Sequence, residues 1–161
     1  MSGFRARGDG ASARFSADEA RLLATLATQL ASLVAERGEP GDDPVLDRLL
    51  PDAYRDNDEH AAEFRRFTEE DISDEKVRNA LTLATALQDH QGTKAIKIEL
   101  DAAEALAWLR ALNDIRLALA VRLDVNDSGE PTVLGEQAEM NHAIYYWLGA
   151  LQESLVLAVD R

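Results

Sequence analysis

The sequence predicts a mainly α-helical fold: a bundle of about four long helices with a small antiparallel β-sheet, formed by an N-terminal hairpin and a strand near residues 95–100. Three observations lead to this prediction: the chain has 161 residues, 46% of them are hydrophobic, and only 9 are glycine and 4 proline. That length suits a single domain over residues 1–161, and the hydrophobic fraction is enough to fill one core. Few glycines and prolines, with abundant Ala and Leu, favour helices over a strand-rich sandwich.

The N-terminal hairpin is expected because Gly8-Asp9-Gly10 interrupts an alternating segment that spans residues 4–15. Ser16 with Glu19 then forms a capping box, which is typical of a helix start. The first long helix is predicted to run from there to about Arg37, with leucines along one side.

Three further helices are expected before the middle strand. A short one runs from Asp43-Pro44 to Leu50, because proline suits the first helical position. A second short helix follows Asp58, and Thr68 begins a separate, longer one that ends at Gly92. The residues expected on the buried side of that longer helix are Ile72, Val77, Leu81, Ala84 and Leu87.

The clearest strand pattern is at residues 95–100, where apolar and polar residues alternate. Asp101 with Glu104 is a second capping box, which starts a helix to about Leu123, and the last helix spans about 135–159. The residues expected to face inward on these two helices are Trp108, Leu109, Leu112, Ile115, Leu119, Ile144, Trp147, Leu148, Leu151 and Leu155.

One internal similarity connects the two capping boxes. Residues 15–20 match residues 100–105, and in both places a strand leads directly into a capped helix. An old duplication and the convergence of two capping boxes explain this equally well. Either way, the two strands are expected to join one antiparallel sheet.

Net charge and composition exclude several classes of function. The net charge is −13, and the acidity is spread over the last two thirds of the chain. Such a surface repels phosphate backbones and anionic lipid, so no direct nucleic acid binding and no membrane docking are expected. The chain has no cysteine, which excludes disulfides, thiol catalysis and Cys-based zinc sites within it. A polar N-terminus without an apolar signal region predicts a cytoplasmic protein.

Metal and catalytic sites have weak support. Glu139 and His142 form one Glu-x-x-His motif, whereas di-iron bundles need two such motifs and two further glutamates. A polar helix face is the favoured interpretation of this pair. We find no glycine-rich phosphate loop and no catalytic triad, so no catalytic residue and no cofactor are predicted.

Two groups of polar residues are candidates for contact with a partner. The first is a loop with the helix that follows it, and consists of Asp52, Tyr54, Arg55, Asp56, Arg65 and Arg66. The alternative for this group is a loop held by Arg–carboxylate pairs and a buried tyrosine. The second group is Asn113, Asp114 and Arg116, for which an inter-helix salt bridge is the alternative. The two tryptophans are expected to pack in the core or on a dimer face.

Three blocks of sequence resemble a small actinobacterial family that was long classed as a domain of unknown function. They are residues 49–68, Trp108–Arg116 and Tyr146–Glu153, and both their order and their spacing fit. The family includes the AosR-like oxidative-stress transcriptional regulators. The resemblance implies a protein that cooperates with a stress sigma factor at promoters and raises expression of cysteine-biosynthesis genes. Such members sense oxidant through a cysteine pair, which this chain lacks.

The predicted function is therefore transcriptional regulation through protein–protein contact with a sigma factor or RNA polymerase, without enzyme activity. Two alternatives stay open at this point. One is a self-associating structural or adaptor module, motivated by the apolar, tryptophan-containing last helix, which would make the chain a homodimer. The other is a metal-binding helical-bundle enzyme, motivated by Glu139 and His142.

Overall fold

A computed structural model describes residues 3–37, 43–50, 59–88, 94–123 and 135–160, with the backbone alone for residues 59–69. Within these ranges the chain forms three strands and five helices. The strands are β1 (Arg5–Arg7), β2 (Gly10–Phe15) and β3 (Ile96–Leu100). The helices are α1 (Ala17–Ala35), α2 (Pro44–Leu49), α3 (Glu59–Gln88), α4 (Ala102–Leu123) and α5 (Glu136–Val159). The predicted fold class is confirmed.

The sheet has the order β1-β2-β3, and both pairs are antiparallel. β1 and β2 are joined by the two-residue turn Gly8-Asp9, in which Gly8 has a φ of 56°. Glycine suits that turn because it adopts the left-handed region without the steric cost of a Cβ. β2 pairs with β3 from Ala11 opposite Leu100 to Phe15 opposite Ile96. The hairpin and the third strand therefore form one sheet, as predicted.

Both capping boxes form where a strand leads into a helix. The Ser16 hydroxyl accepts a hydrogen bond from the Glu19 backbone N–H at 3.1 Å, and the Glu19 carboxylate accepts one from the Ser16 N–H at 2.8 Å. Asp101 and Glu104 make the same reciprocal pair at 2.8 and 3.1 Å. These bonds satisfy backbone donors that the first turn of a helix leaves without partners.

The region after residue 58 corrects one prediction. The sequence predicts a break before Thr68, whereas α3 is one continuous helix of 30 residues. Neither glycine nor proline occurs between residues 59 and 88, so the second cap signal lies within a segment that nothing interrupts. The loop expected before this helix and the one after α4 lie outside the described residues.

The buried side of α3 agrees with the prediction at Ala84 and Leu87 and differs from it at two other positions. Ile72 and Leu81, which were expected inside, are 39% and 45% exposed. The buried residues of the described part of α3 are Ser73, Ala80, Leu83, Ala84 and Leu87. Because α3 packs against both α1 and α4, much of its contact surface consists of small residues.

The core is centred on α4, which contacts every other helix and two of the strands. Trp108 of α4 is fully buried and makes ring contacts with Phe4 and Phe15, at centroid distances of 5.7 and 6.1 Å. The other buried inward-facing residues that the sequence predicted are Leu112, Ile115, Leu119, Leu148, Leu151 and Leu155. Leu109, Ile144 and Trp147 are only partly buried.

Helix α5 lies at one side of this core. It packs chiefly against α4 and against β1 and β2 of the hairpin. The Ser154 hydroxyl accepts a hydrogen bond from the Phe4 backbone N–H at 2.9 Å and donates one to the Leu151 carbonyl at 2.7 Å. This contact attaches the N-terminal segment to the last helix.

Candidate functional site

The loop that the sequence selected for partner contact lies outside the described residues. This applies to Asp52, Tyr54, Arg55 and Asp56. Arg65 and Arg66 lie on the continuous helix α3, where the backbone alone is described. The role of these six residues in partner binding stays a prediction.

The second polar group, on α4, does not form one continuous strip. Asn113 is exposed, Asp114 points at α3 and Arg116 points at α5. Asp114 is 3% exposed, and its Oδ1 accepts a hydrogen bond from the Lys76 Nζ at 2.8 Å. The inter-helix salt bridge that the sequence favoured here is therefore present at Asp114.

Burial changes the acidity of this carboxyl group. Removal from water raises the pKa of Asp114 above its ordinary value, because a low-dielectric surrounding disfavours the charged form. The hydrogen bond and the positive charge of Lys76 act in the opposite direction, and the negative charge of Glu75 adds to the increase. Glu75 itself pairs with Arg110 of α4. The α3–α4 contact thus contains two ion pairs, one buried and one partly exposed.

Arg116 connects α4 to α5 through neutral groups. Its Nη1 donates a hydrogen bond to the Gln152 Oε1 at 2.8 Å, and its guanidinium carbon lies 4.9 Å from the centroid of the Tyr145 ring. Gly149 makes room for this arrangement, because a Cβ at that position would lie 3.2 Å from the Arg116 Nη2. The guanidinium is thus held by an amide and by a cation–π contact.

The two residues of the Glu-x-x-His motif, Glu139 and His142, differ in their exposure to solvent. Glu139 is exposed, whereas His142 is partly buried and its ring centroid lies 4.5 Å from that of Tyr146. Within the described ranges, no group of three or more His, Cys, Asp and Glu side chains is placed to hold a metal ion.

The most distinctive surface is an exposed apolar face of α5. We call it the outer α5 face and define it by Met140, Ala143, Tyr146, Ala150 and Leu157. The first four of these residues recur every three or four positions, and Leu157 follows Ala150 by seven. All lie on one side of the helix, with Tyr146 and Leu157 roughly opposite the buried Leu148, Leu151 and Leu155.

The exposed fractions on this face are large for apolar side chains. Met140 is 60% exposed, Tyr146 59% and Leu157 67%. The sequence drew attention to the apolar last helix but did not separate the face that packs on α4 from the one that faces solvent. In the sequence, the indication of this face was that apolar residues occur all round the last helix, more than one buried side requires.

The charged side chains of α5 itself are all acidic, whereas β1, which packs against α5, carries the exposed Arg5 and Arg7. Glu139 and Glu153 lie on the same side of the helix, and residues 136–160 contain no lysine or arginine. The apolar side chains of the face therefore have acidic neighbours on their own helix. None of the described helices is long and apolar enough to cross a membrane.

Comparison with known proteins assigns this chain to a family. The family profile described as "Domain of unknown function (DUF2017)" matches residues 1–159. Over 134 aligned residues, the chain is 38% identical to the oxidative stress regulator AosR of Mycobacterium tuberculosis, and the alignment covers 74% of this chain and 59% of the relative. It is 33% identical over 144 residues to the putative oxidative stress regulator AosR of Mycobacterium leprae, covering 81% of this chain and 64% of the relative.

The chain thus spans about three fifths of the length of the curated relatives it matches. No solved structure shows significant similarity to it. The family match extends over nearly the whole sequence and confirms the resemblance seen in the three sequence blocks. The chain therefore belongs to the DUF2017 family, and the mycobacterial relatives that it matches are named oxidative stress regulators.

Proposed function

We propose that the chain is a transcriptional regulatory protein of the oxidative-stress response, which acts by contact with a sigma factor or RNA polymerase. The observation that carries the proposal is the identity of 33–38% to oxidative stress regulators, over about three quarters of the chain or more. Since the chain covers only part of those relatives, we propose for it the regulatory contact and not their whole activity.

The charge supports contact with a protein over direct contact with DNA. A net charge of −13 produces a field that repels the phosphate backbone, and most of the affinity in non-specific DNA binding comes from neutralising phosphates. An acidic protein instead favours encounter with basic protein surfaces. A regulator with this charge would reach the promoter through its protein partner.

Cysteine chemistry has no place in this proposal. None of the 161 residues is cysteine, so a thiol switch cannot operate within them. We propose that any dependence on oxidant lies in the partner, and that this chain supplies the contact.

The proposal is tested by co-purification from the native cell. Full-length tagged protein is expressed at its natural level, with and without peroxide, and the recovered proteins are quantified by mass spectrometry against an equally acidic tagged control. Enrichment of RNA polymerase subunits or a sigma factor is the expected result, together with changed transcript levels when the gene is deleted. Recovery of neither, with unchanged transcripts under both conditions, would contradict the proposal.

Self-association is the second candidate function, and the outer α5 face is the observation that favours it. Two copies of an exposed apolar helix face can cover each other in a symmetric dimer. Light scattering of the purified protein decides this. A protein that stays monomeric up to the highest concentration at which it remains in solution would exclude the adaptor role that depends on self-association.

A further inference from the structure

We infer that the outer α5 face is the docking surface for an amphipathic helix of the partner protein, one whose apolar stripe is bordered by lysine and arginine side chains. This inference rests on the proposed function, because it specifies where the partner binds and which chemistry the partner presents.

The first argument is the length of the face. Met140 and Leu157 are 17 residues apart, which corresponds to about 26 Å along a helix with a rise of 1.5 Å per residue. A partner helix of about five turns matches that length. Of the other exposed large apolar residues, Leu81 lies on α3, Leu106 on α4 and Val156 on a different side of α5. Isolated residues of that kind are normal on protein surfaces, whereas several exposed apolar side chains along one side of a helix mark an interaction site. Here they form a group from Met140 to Ala150, and Glu153 and Ser154 separate this group from Leu157.

The second argument is the shape that the sequence gives to the face. Ala143 and Ala150 are small and exposed, and they lie between the larger Met140, Tyr146 and Leu157. Small residues between large ones create grooves into which the side chains of another helix can pack. Tyrosine is also among the residues enriched at the energetic centre of protein interfaces.

The third argument is electrostatic and decides between partners. Four acidic residues lie on or at the ends of α5, namely Glu136, Glu139, Glu153 and Asp160, and there is no basic residue among them. Two copies of this helix would bring eight acidic groups together without a base, in molecules that each carry a net charge of −13. A basic border on the partner helix instead pairs with these carboxylates and accelerates association. The charges therefore favour a basic helix over a second copy of this chain.

The test uses two synthetic peptides of about 18 residues that form amphipathic helices. Both carry the same leucine stripe, but one has lysine along its borders and the other has glutamate. Binding to the full chain is followed by the fluorescence anisotropy of the labelled peptide, at about 0.1 M salt. We expect the lysine peptide to bind, and the glutamate peptide to bind at least about tenfold more weakly, a factor that corresponds to about 1.4 kcal/mol.

Charge-neutral variants show whether binding occurs at the outer α5 face. The double variant Tyr146→Ser/Leu157→Ser removes two exposed apolar side chains of the face. Its matched control, Leu81→Ser/Leu106→Ser, removes two exposed apolar side chains elsewhere. Neither variant changes the net charge, so general attraction between an acidic protein and a basic peptide is the same in both. We expect the first to weaken binding of the lysine peptide at least about tenfold, and the control to change it less than about twofold. Circular dichroism confirms that each variant is folded.

Several results would overturn the inference. They are absence of binding by the lysine peptide, binding of the glutamate peptide that is equally tight, and equal weakening by the two double variants. A dimer of the wild-type chain that dissociates in Tyr146→Ser/Leu157→Ser would assign the face to a second copy.

The same double variant separates the failure of this inference from that of the proposed function. If the tagged variant still recovers polymerase or sigma factor from cells as well as wild type does, the regulatory contact stands and the docking surface lies elsewhere. If wild type recovers neither and transcripts do not change, the proposed function fails whatever the peptides do.

Discussion

Lys76 of α3 and Asp114 of α4 form a buried ion pair, in which the ammonium Nζ donates a hydrogen bond to the carboxylate Oδ1 at 2.8 Å. Asp114 is 3% exposed, whereas the Lys76 side chain is 20% exposed. The carboxylate of Asp114 therefore depends on the ion pair more than the ammonium group of Lys76 does. Lysine can extend its charged end towards water, but the aspartate has no comparable path to solvent.

Replacing Lys76 with methionine is expected to destabilise the fold. Lys76→Met keeps an unbranched apolar side chain but leaves the buried Asp114 carboxylate without its counter-charge. Removal of one partner of a buried pair typically costs about 3 kcal/mol or more. Urea unfolding at pH 7 measures this loss. Lys97→Met is the matched control, because Lys97 pairs with Glu99 on the exposed side of β3. That variant should lose less than about 1 kcal/mol. Equal losses in the two variants would show that the α3–α4 pair contributes no more than a surface pair.

The raised pKa of Asp114 predicts a specific dependence of stability on pH. The folded chain holds the proton on Asp114 more tightly than the unfolded chain does. As the pH rises from about 4, the ordinary aspartate pKa, the unfolded chain loses this proton first. The contribution of Asp114 to the free energy of unfolding therefore falls between that pH and the raised folded pKa, and is constant above it.

The variant Asp114→Asn isolates this contribution, since asparagine does not titrate. The free energy of unfolding of wild type minus that of Asp114→Asn should fall as the pH rises through the window, and should then level off. Urea unfolding in steps of about half a pH unit between pH 4 and 8 measures the difference. A difference that instead grows with rising pH would mean that Lys76 lowers the pKa of the carboxyl group more than burial raises it.

Much of the fold could be predicted because its signals are local. The Gly8-Asp9 turn, the two capping boxes and the alternation of β3 each depend on residues within a few positions of one another. The buried side of α3 could not be predicted in the same way. It depends on two neighbouring helices, and its buried Ser73 and Ala80 carry no signal in a search for large apolar side chains.

The candidate site could be predicted only in part, for a similar reason. Asp114 was selected as a polar residue among core positions, but its partner Lys76 lies 38 residues away, and helical spacing does not connect residues on different helices. The outer α5 face was hidden for another reason. Met140 and Leu157 have the same apolar character as the residues that pack on α4, so composition alone could not separate the two sides of the helix.

Replacing Gly10 is expected to disrupt the sheet. A Cβ at this position would overlap the backbone carbonyl oxygen of Leu100, a contact that side-chain movement cannot relieve. Gly10→Ala should therefore force β2 away from the end of β3 and cost about 3 kcal/mol or more. Thermal unfolding followed by circular dichroism measures the effect.

Gly8 provides the control for Gly10. A Cβ at Gly8 meets no atom within 4 Å, so the positive φ of 56° is what constrains the residue type at that position. Asparagine tolerates that region better than most residues, so Gly8→Asn should cost less than about 1 kcal/mol. If the two variants proved equally stable, the close approach of Gly10 to Leu100 would not be a constraint on the fold.

The two capping boxes are expected to contribute equally and independently. Ser16→Ala and Asp101→Ala each remove the side-chain acceptor of a helix N-cap, which typically costs about 1 kcal/mol. The register places Ser16 and Asp101 at opposite ends of the β2–β3 pair, separated by about five residues of strand, or roughly 17 Å. Sites at that distance without shared partners normally add, so the double variant should lose about 2 kcal/mol. Urea unfolding of the two single variants and the double variant completes the cycle. A loss in the double variant that differs from the sum by more than about 0.5 kcal/mol would show that α1 and α4 are coupled through the sheet.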